Sequence, residues 1–154
     1  MNQIVPLPPK LQLTSNRLTL TIATLGLLGF IDASYLTAKH FLGGSARCFL
    51  VEGCDVVTGS QYSTIGGVIP VALLGVLYYS LIVTFIFLHR ETGRDLWWRL
   101  LAGWSLLGLG FSGWLLYLQA AILGAYCFYC LVSAGISILI FLLVFSRFIT
   151  RKKF

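Results

Sequence analysis

Four cysteines carry the chemistry open to this sequence: Cys48 and Cys54, enclosing five residues, and Cys127 and Cys130 in the stretch Cys-Phe-Tyr-Cys. Residues three apart on a helix share a face, with Cβ atoms about 5–6 Å apart. That separation permits a close, reducible disulfide. A helix beginning at Cys127 would favour its thiolate. Haem attachment is excluded because Leu131, not His, follows the pair. The segment around Cys48 and Cys54 contains Gly43, Gly44, Gly53 and Gly59. It is flexible enough to close a bridge and to move toward a second disulfide. Two such pairs suggest a relay, in which a loop thiolate attacks the CxxC disulfide and passes through a mixed disulfide. Four cysteines allow three pairings, and a relay visits more than one. Two permanent bridges are the competing reading, and the CxxC spacing favours the relay. A four-cysteine zinc site is disfavoured, since C-x5-C is wider than a structural zinc arm, so no metal is expected.

Membrane-spanning segments must position these thiols. Of 154 residues, 58% are hydrophobic and only 10% charged, whereas soluble domains carry about 25% charge. That balance excludes an ordinary soluble domain and a disordered chain. A membrane helix needs about 20 apolar residues. Four apolar runs meet the requirement, at 18–38, 66–88, 100–126 and 128–148. They leave no room for a second domain, so residues 1–154 read as one all-α membrane unit with a polar loop at 39–65. The first run exceeds the roughly 7–15 apolar residues of a signal peptide and lacks a small-residue cleavage site, so it reads as an uncleaved span. Pro70 is expected in the first turn of the second span. Gly103, Gly108, Ser112 and Gly113 suit close helix packing. Trp97 and Trp98 read as interfacial anchors.

The net charge of +6 orients these spans. Lys10, Arg17, Arg90, Arg94, Arg99, Arg147, Arg151, Lys152 and Lys153 lie in the two terminal segments and the 89–99 connection. Lys39 and Arg47 alone lie in the 39–65 loop. The positive-inside rule therefore assigns both termini to the cytoplasm and all four cysteines to the extracytoplasmic face. An oxidising compartment there permits disulfides. The basic excess needs no nucleic acid to explain it.

A membrane relay needs an electron acceptor, and a quinone is both lipid-soluble and a two-electron carrier. Cys130 lies one turn deeper than Cys127 and is better placed to meet its ring. Asp32 is an ionisable residue within a span and hence a functional candidate, with structural hydrogen bonding as the alternative. Ser60 would cap a short helix, or donate to a thiolate or quinone oxygen. Tyr62 follows it in the same loop. Gln119 would bond another helix or a quinone carbonyl, with the structural role favoured. Trp114, Tyr117, Tyr126, Phe128 and Tyr129 read mainly as interface and packing residues. His40 and His89 fall at opposite faces and cannot share a metal.

The pattern resembles the vitamin K epoxide reductase (VKOR) family in its bacterial disulfide-forming branch. The resemblance rests on Gly-Phe-Ile-Asp-Ala-Ser-Tyr-Leu-Thr at 29–37, Cys48, Cys54, Ser60 six residues later, Gly-Gly-Val-Ile-Pro at 66–70 with Gly75 and Tyr78, and Cys-Phe-Tyr-Cys at 127–130. It covers roughly residues 15–148. It implies an integral four-helix bundle in the inner (plasma) membrane, holding a quinone such as ubiquinone or menaquinone under a short extracytoplasmic loop and helix lid. It also implies roles. Cys48 would exchange with a thioredoxin-like (DsbA-like) partner, Cys54 would pass electrons to Cys127, and Cys130 would adjoin the quinone. Ser60 would lie near the reactive cysteines. Many bacterial members carry a fused thioredoxin-like domain; here the partner is expected to be separate. Animal members have a Tyr where this sequence has Ala134, and an Asn that the 70–75 stretch lacks. Disulfide formation coupled to quinone reduction is thus favoured over vitamin K epoxide reduction. A non-catalytic membrane protein with structural disulfides is the rival from another class.

Overall fold

The computed structural model describes residues 9–43 and 53–152. Helix α1 runs Pro9–Phe41, and a five-residue helix α2 occupies Cys54–Thr58. A 3-10 turn at Gln61–Ser63 leads to a minimal antiparallel hairpin, β1 (Thr64–Ile65) with β2 (Ile69–Pro70). Helices α3 (Val71–Thr92) and α4 (Asp95–Tyr117) follow, then a π-helical turn at Leu118–Leu123 and α5 (Phe128–Lys152). Four helical stretches are long and apolar enough to cross a membrane: Asn16–Phe41, Val71–Thr92, Asp95–Leu123 and Phe128–Arg147. The fold is an all-α four-helix bundle.

Several boundaries differ from the sequence expectation: α1 runs past 18–38 at both ends and α5 past 148, and the others differ for local reasons. The second span starts at Val71 rather than Gly66. Gly66 and Gly67 have φ of 63° and 74°, a left-handed conformation that makes the hairpin tip. Pro70 pairs with Thr64 across the hairpin and caps α3 instead of entering it. The expected charged connection at 89–99 shrinks to Gly93 and Arg94, because the helices continue into it from both sides. Gly93 (φ 63°) ends α3, and its N–H donates to His89 O at 3.0 Å. Asp95 opens α4, where a helix N-terminus favours negative charge. The third helix of the expected set leaves regular α geometry at Leu118, eight residues short of 126.

The helices form a ring in which α1 contacts α3 and α5, and α4 contacts the same two. Close packing comes from small residues facing large ones. Gly29 lies under the Tyr79 ring and Gly108 under the Tyr78 ring, where a Cβ would collide with the aromatic carbons. The main core, at the end of the bundle away from the lid, gathers Ile22, Ile82, Ile86, Leu101, Ile140 and Val144. Trp98 belongs to this core and is 3% exposed, so it is a packing residue rather than an interfacial anchor. The Arg147 guanidinium covers its ring at 4.3 Å and also faces His89 Nε2 at 3.4 Å. Trp97 remains half-buried and stacks on Phe85.

Candidate functional site

The CxxC pair begins α5. Cys127 occupies the N-cap position, its carbonyl accepting the Leu131 N–H at 3.0 Å. Its own N–H donates to Gln119 Oε1 at 2.9 Å, and both residues are buried. Gln119 reaches this point because it lies in the π turn, where Gly124 (φ 58°) then reverses the chain. The Cys130 thiol first, and then the backbone N–H groups of Cys130 and Tyr129 at the start of α5, favour the Cys127 thiolate. These donors pull the Cys127 thiol below its ordinary value, against the opposing effect of burial. Both residues carry free thiols.

The lid brings a third cysteine to the same point. Cys54 opens α2, is disulfide-bonded, and places its sulfur 3.6 Å from that of Cys127. That distance is a van der Waals approach, from which a thiolate reaches a disulfide sulfur with little further movement. Cys54, Cys127 and Leu36 form a small buried cluster with Val57, Ala72, Phe128 and Tyr129 packed around it. Gly53 makes the approach possible. A Cβ there would stand 2.5 Å from Tyr126 O and 2.9 Å from Tyr126 N. The lid holds its own shape: Thr58 Oγ1 donates to Cys54 O at 2.7 Å and Ser60 Oγ to Val57 O at 2.8 Å. Ser60 does precede a short helical turn, but its hydroxyl turns back to Val57 and does not cap that turn. Cys48 lies outside the described residues.

Below the lid, between all four long helices, is a cavity of about 730 Å³. Its walls are mostly apolar, with a few polar groups near the cysteine end, including Asp32, Ser60, Tyr62, Gln119 and Cys130. These five are the cofactor candidates of the sequence, drawn together here from α1, the lid, the π turn and α5. Cys130 faces this cavity, one turn along α5 from the buried Cys54–Cys127 contact. Asp32 Oδ2 is buried and has no hydrogen-bond partner among the described residues. Ala134 is also on the wall. Trp114, Tyr117 and Tyr126 are exposed and fit the packing and interface reading. An apolar cavity with a few converging polar groups suits a drug-sized or cofactor-sized ring, for which volumes of roughly 300–1,000 Å³ are typical. The orphaned Asp32 oxygen supplies an acceptor or donor for a ring oxygen, so the residues fit a quinone.

Two contributors were invisible to sequence reasoning. Gly53 is one glycine among 16 in the sequence, and its necessity is set by the Tyr126 backbone. Tyr79 closes the cavity floor by donating to Ser133 O at 2.7 Å, with Ser133 Oγ and Ser137 Oγ at 2.9 and 3.1 Å. The Tyr-Tyr pair at 78–79 gives no signal of which ring turns inward.

Fold and site together define a membrane-embedded helical bundle with a CxxC pair between a cysteine-bearing lid and an intramembrane cavity. The family model described as "Vitamin K epoxide reductase family" matches residues 20–145. The chain belongs to the vitamin K epoxide reductase family, and is accordingly a multi-pass membrane oxidoreductase. Members of this family generally use a quinone as electron acceptor and work with thioredoxin-like proteins. A search of curated proteins gives no match.

Proposed function

We propose that this protein is a quinone-dependent thiol–disulfide oxidoreductase that oxidises a thioredoxin-like partner and thereby supports disulfide-bond formation. The carrying observation is the 3.6 Å approach of the Cys54 and Cys127 sulfurs, with Cys130 on the cavity wall one turn away. In the forward direction a partner thiolate attacks Cys48 of a Cys48–Cys54 bridge, forming a mixed disulfide and freeing Cys54. The partner's second thiol resolves that mixed disulfide, and the partner leaves oxidised. The Cys54 thiolate then attacks Cys127 of a Cys127–Cys130 bridge, and Cys130 leaves as a thiolate facing the cavity. Attack by Cys48 on Cys54 restores the lid bridge and returns Cys127 as a thiol. The donors that lower the Cys127 thiol make it a good leaving group in this last exchange.

A quinone, when bound, accepts two electrons and two protons. The chain's part is to hold its ring against Cys130 and away from water. Ser60 and Tyr62 would close the cavity from the lid side, and Gln119 would keep Cys127 fixed beside it. The charge distribution of the sequence supports a topology with both termini cytoplasmic and the lid outside.

The test is anaerobic mixing of the purified protein with a reduced thioredoxin-like donor and ubiquinone-1, following quinone absorbance. Loss of oxidised quinone should require Cys127 and Cys130. Cys130→Ala should stop it and accumulate a Cys54–Cys127 bridge, detected as a linked peptide. Full turnover in Cys130→Ala would overturn the assignment of Cys130 to this path.

A further inference from the structure

Asp32 is the only Asp, Glu, Lys or Arg between Leu18 and Ala38 of α1. It sits on the cavity wall, and its Oδ2 is buried without a hydrogen-bond partner among the described residues. Leaving a buried polar atom unpaired is costly, so native structures rarely keep one without a reason. The Tyr79 hydroxyl is already committed, because it donates its proton to Ser133 O and faces the Ser133 and Ser137 hydroxyls. An ionisable residue inside a span marks a functional site by default. Helix periodicity adds a second observation. Leu36, Lys39 and His40 follow Asp32 at i+4, i+7 and i+8 on one face of α1. Leu36 packs in the cysteine cluster, while Lys39 and His40 line the same cavity at the end of the helix. His40 is exposed. The stripe runs from water, past the cysteines, to the carboxyl.

We infer that Asp32 is the proton-transfer residue of the cavity, exchanging a proton with the oxygen of a bound quinone. The inference rests on the proposed quinone chemistry. Cys127 and Cys130 lose two electrons and two protons as their S–S bond forms. Both electrons and both protons end on the quinone, giving the quinol. Asp32 carries one of those protons: it donates to a quinone oxygen and recovers a proton released by the thiols, so it is unchanged over the cycle. Water at the Lys39–His40 end provides the path for that return.

Two measurements test this. The first is labelling of the protein with dicyclohexylcarbodiimide, an apolar reagent for protonated carboxyls, with adducts located by mass spectrometry. The expected result is an adduct on Asp32 that saturating ubiquinone-1 prevents. The second separates the steps by rapid quenching. Asp32→Asn should lower the rate of quinol formation about 100-fold, the scale of one general acid, while trapping of the Cys54–Cys127 bridge keeps its wild-type rate. Asp32→Glu should recover part of the loss. That preserved exchange rate separates a proton-transfer role from a folding defect. Wild-type quinol formation by Asp32→Asn, or an Asp32 adduct that ubiquinone-1 leaves untouched, overturns the inference. Failure of the wild-type protein to reduce any quinone instead removes the parent reading, whereas protection of Asp32 by ubiquinone-1 reads quinone binding without turnover.

Discussion

Replacing Gly53 by Ala tests whether lid docking sets the rate of exchange between the cysteine pairs. The added Cβ would lie 2.5 Å from Tyr126 O, 2.9 Å from its N and 3.2 Å from its C. All three are backbone atoms, so no side-chain rotation relieves the contact. Ordinary van der Waals contact begins near 3.4 Å, which requires the lid and the 124–127 corner to separate by about 1 Å. Cys54 is the very next residue, so its sulfur retreats from the 3.6 Å approach to Cys127 by a comparable amount. A misplacement of about 1 Å in a reacting pair can cost on the order of 100-fold. The bundle itself should be unaffected, because the clash lies outside the four long helices. The assay is single-turnover trapping of the Cys54–Cys127 bridge in a Cys130→Ala background, quenched with acid and read by mass spectrometry. Gly103→Ala is the control, since a Cβ there meets nothing within 4 Å. Gly53→Ala should slow bridge formation roughly 100-fold on that scale, and Gly103→Ala should leave it unchanged. A wild-type bridging rate in Gly53→Ala would refute the claim that close lid docking sets the exchange.

Two further outcomes follow from the surroundings of Cys127. Gln119→Leu strands the buried Cys127 N–H, which should cost about 1–3 kcal/mol in thermal unfolding in detergent; Gln119→Glu keeps an acceptor oxygen and should restore most of the loss, and wild-type stability in the Leu variant would deny the bond its importance. The Cys127 thiol is lowered chiefly by the Cys130 hydrogen bond, so it ionises at a lower pH than an ordinary thiol. Attack by Cys127 on Cys54 should therefore stay fast at neutral pH and slow as pH falls through that lowered value. In Cys130→Ala the donor is gone and the slowing should begin at higher pH, whereas Cys130→Ser, which keeps a hydroxyl donor, should resemble the wild type in a pH series of the same trapping assay.

The spans were legible because the membrane demands long apolar runs and this chain has little else. Their ends were not, because local backbone chemistry decides them. Gly66 and Gly67 look compatible with a small-residue helix face until their positive φ turns the chain through a hairpin. His89–Thr92 and Asp95–Arg99 read as a polar connection, yet charged residues at a membrane surface continue a helix without penalty. At the site, the CxxC spacing was visible, and so was the polar character of Asp32, Ser60, Tyr62 and Gln119. Their convergence was not derivable from spacing, since Cys54 and Cys127 meet across 73 residues. Gln119 is the sharpest case. Its contact with Cys127 depends on six residues of π geometry that carry no distinguishing pattern in Leu-Gln-Ala-Ala-Ile-Leu. A single widened turn at functional positions is where such geometry is most often found.

The placement of the CxxC pair explains how electrons could leave an aqueous exchange and enter the membrane without a large movement. Cys127 is the cap of α5 and is fully buried against the lid. Cys130, three residues on, is in the first turn of the helix and on the cavity wall. One turn of helix, about 5.4 Å, separates the two environments. A disulfide between them would have one sulfur available to protein thiols and the other to a lipid-soluble ring. Donors around Cys127 favour its thiolate, so in the proposed relay they would ease its departure when Cys48 attacks Cys54 of a Cys54–Cys127 bridge. The cap at Cys127, the Gln119 bond and the Gly53 contact together hold Cys127 under the lid and Cys130 on the cavity wall, so loss of any one should slow exchange between the pairs.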